Sequence, residues 1–546
     1  MNEYLQDERE IKGYIDIQYS NINTDYGTFH DYPTTAPISF PDNVLSSNSI
    51  KVVKNYASLE NNYFLLDGSF VLPDYNYSTA SGAHGNTDSG YITNEILDEY
   101  SFYQAFDTSN LKNMRGITLY FKDNIPSTID IIITYGTNNT LNFNITDNSK
   151  SVVQIDFENE YLVNQIDYEF SNMQYSDRRF RLAFIEGGLG DVLTKENGFL
   201  ISFTTIENMG EFNLETPSNE CNIELYDEEN KFDLTNPKGY ADLLNENVRV
   251  QPYIGILTSN NGVVYINKGT YYLNNWKNND NKITLSCSDY LNKLKTIYDY
   301  PTIGTVANSG NLEVYYRMLS YQSDLENYID IEATGFSDFA EGRLGNEYFD
   351  DSYVDVNNLF DYLNSLVVWT NTPYVTSCLY CDTARGNMKD NLSVTGPIYD
   401  NVYEDTLTLD TSLLSKPIYT IKEKLKSILI KKYSKNASNE LVTTDYITTY
   451  DVNGKSIEIN NKFFKEYSYS GTFAATLNER CALISQKIKS EYKKYDISIR
   501  YIGDPNITPN MIVPIETQYG NKQVKVLKHT LTFNGGLTGT IEGVGD

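Results

Sequence analysis

Between residues 96 and 205 apolar and polar residues alternate with a period of two, which is the pattern of half-buried β-strands. The apolar positions form six runs: Ile117, Leu119 and Phe121; Ile129, Ile131 and Ile133; Leu141, Phe143 and Ile145; Val153, Ile155 and Phe157; Ile166, Tyr168 and Phe170; Phe180, Leu182 and Phe184. Six or more short strands in succession predict an antiparallel β-sandwich.

A second β-rich region lies between Ser218 and Leu294. It contains apolar runs at 222–227, 248–256, 263–273 and 283–291, with an Asn261-Gly262 turn between the second and third. These runs predict a further set of short β-strands.

The C-terminal part mixes helical and strand patterns. Apolar residues three or four apart predict helices over 312–322, 354–368, 421–430 and 476–492, and Asp451-Val452-Asn453-Gly454 predicts a type I′ hairpin turn. Alternation after residue 495 predicts further strands and a hairpin at Gly535-Gly536. We expect both glycines to have backbone angles that residues with a Cβ resist. We expect one core of Ile497, Ile499, Val513 and Val526, packed against Leu483 and Ile488 of the preceding helix.

The order of helix, strand pair and Gly-Gly hairpin over residues 476–543 resembles the last part of tail-hub and baseplate minor tail proteins from phages of Gram-positive hosts, or of tail-like bacteriocins. The stretch 218–294 resembles the first barrel of the same family. Residues 96–205, which end in Arg-Phe-Arg-Leu-Ala-Phe-Ile-Glu-Gly at 179–187, resemble an inserted discoidin-like or galactose-binding jelly roll. The fold class implied is mainly β, a β-sandwich plus hub-type β-barrels with a few α-helices, in a multidomain α+β chain.

We therefore divide the chain into five predicted domains. They are an irregular β-rich N-terminal arm or domain (1–95), the sandwich (96–205), a first hub-like barrel (206–300), an α/β middle domain (301–410) and a C-terminal hub-like α+β domain (411–546). The resemblance implies a structural part of a tail tip or baseplate, in which hubs form closed rings, usually trimers. It also implies partners among other tail or baseplate proteins and a location on the virion tail, after synthesis in the host cytoplasm.

Composition limits the classes of partner that the chain can bind. The chain has 43 basic and 73 acidic residues, so its formal charge is -30, and such a surface repels nucleic acid and anionic lipid. We expect no nucleic-acid partner. We expect no membrane span because no stretch of about 18 consecutive apolar residues occurs, and the acidic N-terminus lacks a secretory signal.

Catalytic motifs are missing from the sequence. The histidines are His30, His84 and His529, and no nucleophile elbow, zinc-peptidase helix or phosphate-binding loop accompanies them. The Cys378-Leu379-Tyr380-Cys381 motif has no second ligand pair, which favours structural thiols over zinc. A cluster of Glu347, Asp350, Asp351 and Asp355 fits a solvated, helix-capping turn better than an acid pair for glycoside cleavage. We predict no catalytic residues, metal or cofactor, and a non-enzymatic role, with a tail-associated cell-wall hydrolase as the alternative.

Loops of the predicted sandwich supply candidate contacts to a host cell-wall polysaccharide. These are Asn138, Asn139, Asn172, Gln174, Tyr175 and Asp177. An aromatic ring stacks on a sugar ring, and amides and carboxylates bind its hydroxyls. Under this hypothesis the chain is also a glycan-binding adhesin. The competing interpretation, which the sequence favours, is that these residues form solvated turns and the sandwich is a spacer.

Overall fold

The computed structural model describes residues 11–19, 28–31 and 91–92, most of 96–289, the segments 329–332, 378–382 and 390–395, and most of 402–546. These residues form strands almost throughout, with one α-helix, α1 (Leu477–Glu491), and one short 3₁₀ helix at Ala241–Leu243. The mainly-β fold class is thereby confirmed. The helices predicted at 312–322 and 354–368 lie outside the described residues. No helix in the described segments has the length and apolar character needed to cross a membrane.

The first sixteen strands precede residue 290. They are β1 (Ile11–Gln18), β2 (Thr28–Asp31), β3 (Tyr91–Ile92), β4 (Glu99–Ala105), β5 (Asn113–Phe121), β6 (Pro126–Tyr135), β7 (Asn139–Ile145), β8 (Val152–Met173), β9 (Arg181–Glu186), β10 (Gly190–Thr194), β11 (Leu200–Asn208), β12 (Glu220–Tyr226), β13 (Arg249–Leu257), β14 (Val263–Asn267), β15 (Tyr271–Asn279) and β16 (Lys282–Ser288).

Eleven more strands follow. They are β17 (Ile329–Glu332), β18 (Cys378–Asp382), β19 (Asp390–Thr395), β20 (Ile418–Ile421), β21 (Leu425–Lys435), β22 (Leu441–Thr449), β23 (Lys455–Ile459), β24 (Tyr495–Ile502), β25 (Ile512–Thr517), β26 (Gly520–Phe533) and β27 (Leu537–Gly545). The short strands β17, β19 and β18 form a separate sheet in that order.

Strands β4 to β9 lie within residues 96–205, the predicted sandwich, and β2 and β3 join them in one eight-stranded sheet, whereas β10 and β11 belong to another sheet. The apolar positions of the eight-stranded sheet pack into one core that includes Ile117, Ile131 and Phe170. The two runs predicted as separate strands at 153–157 and 166–170 are one continuous strand, β8, and the prediction of a break was wrong. No turn interrupts them. Instead β8 pairs first with β5 and then with β4 and β6, and the positive φ of Glu158 lies near the change of partner.

A 13-stranded sheet contains β1, β10–β16, β20 and β24–β27. Eleven of its strands lie in the order β10-β1-β13-β15-β16-β12-β11-β26-β27-β24-β20, while β14 pairs with β13 and β25 pairs with β26. We call β1 and β10–β16 the first module. Its core includes Ile15, Ile223, Val250 and Leu285. The hairpin predicted at Asn261-Gly262 is confirmed by the pairing of β13 with β14, although the two turn residues lie outside the described part.

We call β20 and β24–β27 the C-terminal module. Ile497, Ile499, Val513 and Val526 share one buried core, as the sequence predicts. The helix predicted at 476–492 is confirmed as α1, but its predicted packing is wrong. Ile484 and Ile488 pack instead with Ile428 and Ile430 of β21, because the sheet β22-β21-β23 covers the apolar face of the helix. The side chain of Leu483 is outside the described residues.

Two local predictions in this region are wrong. Residues 421–430 are not a helix but the end of β20, a short connection and the start of β21. Ile428 and Ile430 alternate into the core, and β21 pairs with two neighbouring strands. The turn at Asp451-Gly454 exists, with Gly454 at φ 129, but it is not a hairpin. The strands on either side of it, β22 and β23, both pair with β21 and not with each other.

The Gly535-Gly536 turn between β26 and β27 is confirmed as a hairpin. Gly535 has φ 101, in the region that favours glycine, as predicted. Gly536 does not have a positive φ and is exposed, so the prediction for this second glycine is wrong. A single glycine is enough for this connection.

Candidate functional sites

The six predicted glycan contacts fall into two groups at opposite ends of β6. Asn138 and Asn139 form the β6–β7 turn, where Tyr135 pairs with Asn139. Asn172 is the penultimate residue of β8, and Gln174, Tyr175 and Asp177 follow the strand, beside the first residue of β6, because Pro126 pairs with Met173. The nine steps along β6 separate the groups by about 30 Å at ~3.3 Å per residue. The structure therefore does not bring the six residues together.

The group at the start of β6 is built on a fixed loop. The buried amide of Asn124 donates to the carbonyls of Tyr175 (3.1 Å) and Arg178 (2.9 Å) and accepts the N–H of Tyr175 (2.8 Å). The Arg178 guanidinium lies 4.0 Å from the centre of the Tyr175 ring, a cation–π contact. The Tyr175 side chain is 37% exposed, and Asn172, Gln174 and Asp177 are exposed around it. This end presents a positioned ring flanked by amide and carboxylate groups.

The other end carries aromatic residues that the sequence reasoning missed. The rings of Tyr135 and Tyr161 lie 4.5 Å apart beside the Asn138 turn, and both are half-buried. Asn164 donates its amide to the carbonyl of Gly136 (2.6 Å) and so holds the turn. Tyr135 is the last residue of β6, next to the loop, whereas Tyr161 lies in the middle of β8. Only Tyr135, as an aromatic residue at the end of a strand, gave a signal in the sequence.

A buried polar group joins the two modules of the large sheet. The Lys268 ammonium lies 2.8 Å from the Glu207 carboxylate and donates to the carbonyl of Pro505 (3.0 Å). Lys268 precedes β15 in the first module, whereas Pro505 follows β24 in the C-terminal module. Nearby, Glu207 is the cross-strand partner of His529, whose Nε2 lies 2.8 Å from the hydroxyl of Tyr501. Since Lys268 and His529 are both buried, this group fits a structural joint better than a catalytic site.

The same joint contains a continuous ladder. Strand β11 pairs with β12 on one side and with β26 on the other, with Phe203 opposite Phe533 and Asn208 opposite Lys528. The rings of Phe203 and Phe533 are 5.3 Å apart. The two modules therefore share one hydrogen-bonded sheet.

The structure does not describe the arrangement of the candidate catalytic residues. The acidic cluster of Glu347, Asp350, Asp351 and Asp355 lies outside the described residues. Within the segments that the structure describes, no three His, Cys, Asp or Glu residues gather as a metal-binding group. Cys221 and Cys287 face each other across β12 and β16 and are buried, and burial raises the pKa of both thiols well above the ordinary range.

No protein-family model matches the sequence, and no curated protein matches it either. Among solved structures, the chain is similar to the 43 kDa tail protein of prophage MuSo2 from Shewanella oneidensis, with 11% identity over 65% of this chain and 95% of that one, at a TM-score of 0.39. It is also similar to the tail protein from Neisseria meningitidis MC58, with 7% identity over 65% of this chain and 94% of that one, at a TM-score of 0.37.

A shorter similarity is to chitosan-binding module 1 of a chitosanase/glucanase from Paenibacillus sp. IK-5. It has 14% identity over 19% of this chain and 77% of that one, at a TM-score of 0.16. All three TM-scores are too low to carry a conclusion about function.

Proposed function

We propose that this chain is a structural, non-enzymatic component of a tail tip or baseplate, belonging to a phage of a Gram-positive host or to a tail-like bacteriocin particle. In this role it is a hub-like scaffold that contacts other tail or baseplate proteins and links the tail to receptor-binding fibres or to the host surface. It is a homo-oligomer, and the resemblance of residues 218–294 and 476–543 to tail hubs implies a trimer. It resides on the virion tail.

The observation that supports this role best is the ladder between β11 and β26. Domains of one chain usually meet through small polar interfaces and move relative to each other. Here the first and C-terminal modules share a sheet, and the buried Lys268–Glu207 pair connects both to the loop at Pro505. Such a joint holds the two modules in one orientation, which is what a scaffold needs when it carries other subunits.

Mass photometry of the purified chain and immuno-electron microscopy of particles test the proposal. We expect a species of three times the 62.3 kDa chain mass and antibody label at the tail tip. In particles, Lys268→Met should reduce incorporation of the chain, whereas Lys282→Met, which removes an exposed pair with Glu224, should not. A chain that stays monomeric at high concentration and labels no part of the tail would overturn the proposal.

Zymography separates the scaffold from the hydrolase alternative. The scaffold predicts no clear zone on host peptidoglycan. A clear zone that disappears in Asp350→Asn and Glu347→Gln would instead identify a tail-associated cell-wall hydrolase.

A second function, glycan binding by the sandwich, is favoured by the ring of Tyr175 on its fixed loop. We propose that this end contacts wall polysaccharide through Tyr175, Asn172, Gln174 and Asp177, and that Asn138 and Asn139 with Tyr161 form a separate contact. Pull-down of the full chain on host wall polysaccharide should weaken in Tyr175→Ala. Tyr226→Ala, at an equally exposed tyrosine on β12, is the matched control. Equal retention of both variants would assign the adhesin role to another subunit.

A further inference from the structure

Strand β20 ends the path of the 13-stranded sheet and is exposed at all four residues. It pairs with β24 on one side, and among the described residues no strand pairs with its other side. Ile418 is 64% and Ile421 72% exposed. Proteins normally shorten, charge or cover such an edge, because an apolar edge strand is a template for another strand. The edge therefore has the features of a docking site.

The hydrogen-bond pattern between β20 and β24 shows which backbone N–H and C=O groups of β20 face outward. Lys422 donates its N–H to the carbonyl of Lys494, its partner across the ladder (3.0 Å). In an antiparallel pair every second residue bonds to the partner strand, so Thr420 and Ile418 face β24. Tyr419 and Ile421 consequently direct their N–H and C=O groups to the open edge.

One face of β20 borders a trough of about 640 Å³. A straight row of paired residues crosses its floor on five neighbouring strands, and the row consists of Asn208, Lys528, Glu542, Ser498 and Ile418. Three carboxylates line the trough, those of Glu220, Asp496 and Glu542. The Lys528 ammonium, also in the lining, lies 3.5 Å from Glu542, and the Lys422 ammonium lies 3.6 Å from Asp496 and also contacts Glu211. The trough is thus acidic, with an apolar rim at Ile418.

The other face of β20 is apolar. Tyr419 and Ile421 lie on it, and the Tyr419 ring meets the Tyr495 ring edge-on at 6.1 Å. A strand added to β20 would place alternate side chains on the two faces. On the trough face the Asp496 carboxylate lies directly across the ladder from Thr420, and it is 59% exposed although it pairs with Lys422.

We propose that β20 binds an extended segment of a different protein by β-strand addition, and that this segment alternates basic with apolar side chains. The basic side chains extend past Thr420 towards Asp496 on the trough face, and the apolar ones cover Tyr419 and Ile421. A second copy of this chain is the competing occupant, because the proposed scaffold is itself a homo-oligomer, and the experiment below distinguishes the two. This inference goes beyond the proposed scaffold role, since it specifies the chemistry of a partner and holds wherever the chain lies in a particle.

Fluorescence anisotropy of the purified full chain tests it, with a labelled peptide of alternating lysine and valine as the probe. We expect saturable binding at low salt that weakens at high salt. A glutamate–valine peptide, and a lysine–valine peptide with alternate backbone nitrogens methylated, should not bind. Asp496→Asn should weaken binding about five-fold, the size of one exposed charge pair.

Ile421→Pro removes an outward N–H and leaves the β24 ladder intact, so binding should be lost while the unfolding midpoint is unchanged. Ile447→Pro is the matched control. Ile447 is also exposed. Among the described residues β22 pairs with β21 alone, and the N–H of Tyr450, three residues after Ile447, donates to the carbonyl of Lys426 in β21. Ile447 therefore faces outward on a different edge. This variant should bind as the wild type does.

Binding of the glutamate–valine peptide with equal affinity would overturn the proposal, as would binding that both Ile421→Pro and Asp496→Asn leave unchanged. If Ile421→Pro converts an oligomer of the wild-type chain to monomers and no peptide binds, the occupant is a second copy and the proposal is wrong. None of these results depends on particle assembly, so failure here is distinguishable from failure of the scaffold role.

Discussion

The Lys268 ammonium contacts the Glu207 carboxylate at 2.8 Å, with the lysine side chain fully buried. The residues belong to different parts of the first module, and Lys268 also donates to Pro505 in the C-terminal module, 237 positions away in sequence. A charge withdrawn from water in this way is tolerated only if its partners are in place. The contact therefore favours one relative orientation of the two modules.

Lys268→Met should destabilise the chain by about 3 to 5 kcal/mol, because it leaves the Glu207 carboxylate buried without its counter-charge. Urea unfolding followed by tyrosine fluorescence measures the change. The exposed pair Lys282–Glu224, with a similar 2.7 Å distance, provides the control. Lys282→Met should cost about 0 to 1 kcal/mol. Equal losses in the two variants would contradict the role of burial.

Ile488→Ala should cost about 2 to 5 kcal/mol, because it opens a cavity between α1 and the sheet β22-β21-β23. The packing partner is identified by double-mutant cycles. Ile428→Ala lies in the same core and should combine non-additively with it, whereas Ile499→Ala, in the core of the C-terminal module, should add within about 0.5 kcal/mol. The reverse pattern would restore the packing predicted from the sequence.

Gly535→Ala should destabilise the β26–β27 hairpin by about 1 kcal/mol or more, because residue 535 has φ 101 and a Cβ there would lie 2.7 Å from the Lys195 Nζ. Gly536→Ala should be nearly neutral, since the nearest atom to its Cβ is 4.0 Å away. Thermal melts of the two variants provide the comparison. A larger loss at position 536 would show that the turn has another conformation.

Cys221 and Cys287 should resist alkylation in the folded chain. Burial raises the pKa of both thiols, so at pH 9, where an exposed cysteine with a pKa of about 8.5 is mostly thiolate, both stay protonated as well as shielded. Peptide mass spectrometry after iodoacetamide treatment should find them modified only in denaturant. Rapid modification of the folded chain at pH 9 would contradict the β12–β16 pairing.

The candidate sites were only partly predictable. The loops that carry Asn138 and Tyr175 follow from the strand alternation, because a polar segment between two strands has to be a connection. Their separation along β6 does not follow, since it depends on which strand ends meet. Arg178 under the Tyr175 ring and the open edge at β20 also depend on the folded backbone.

The sequence by itself determined where strands form in residues 117–184 and 222–288. Apolar residues at every second position favour a strand whichever neighbouring strand it pairs with. The sequence also determined helix α1 and the core membership of Ile497 and Ile499. Tertiary structure decided what local patterns leave open. Residues 421–430 fit a helix by spacing, yet they are strands because β22, β23 and β24 provide ladders for them. The continuity of β8, the sheet that covers α1, and the pairing of Lys268 with Glu207 were likewise settled by contacts between segments far apart in the chain.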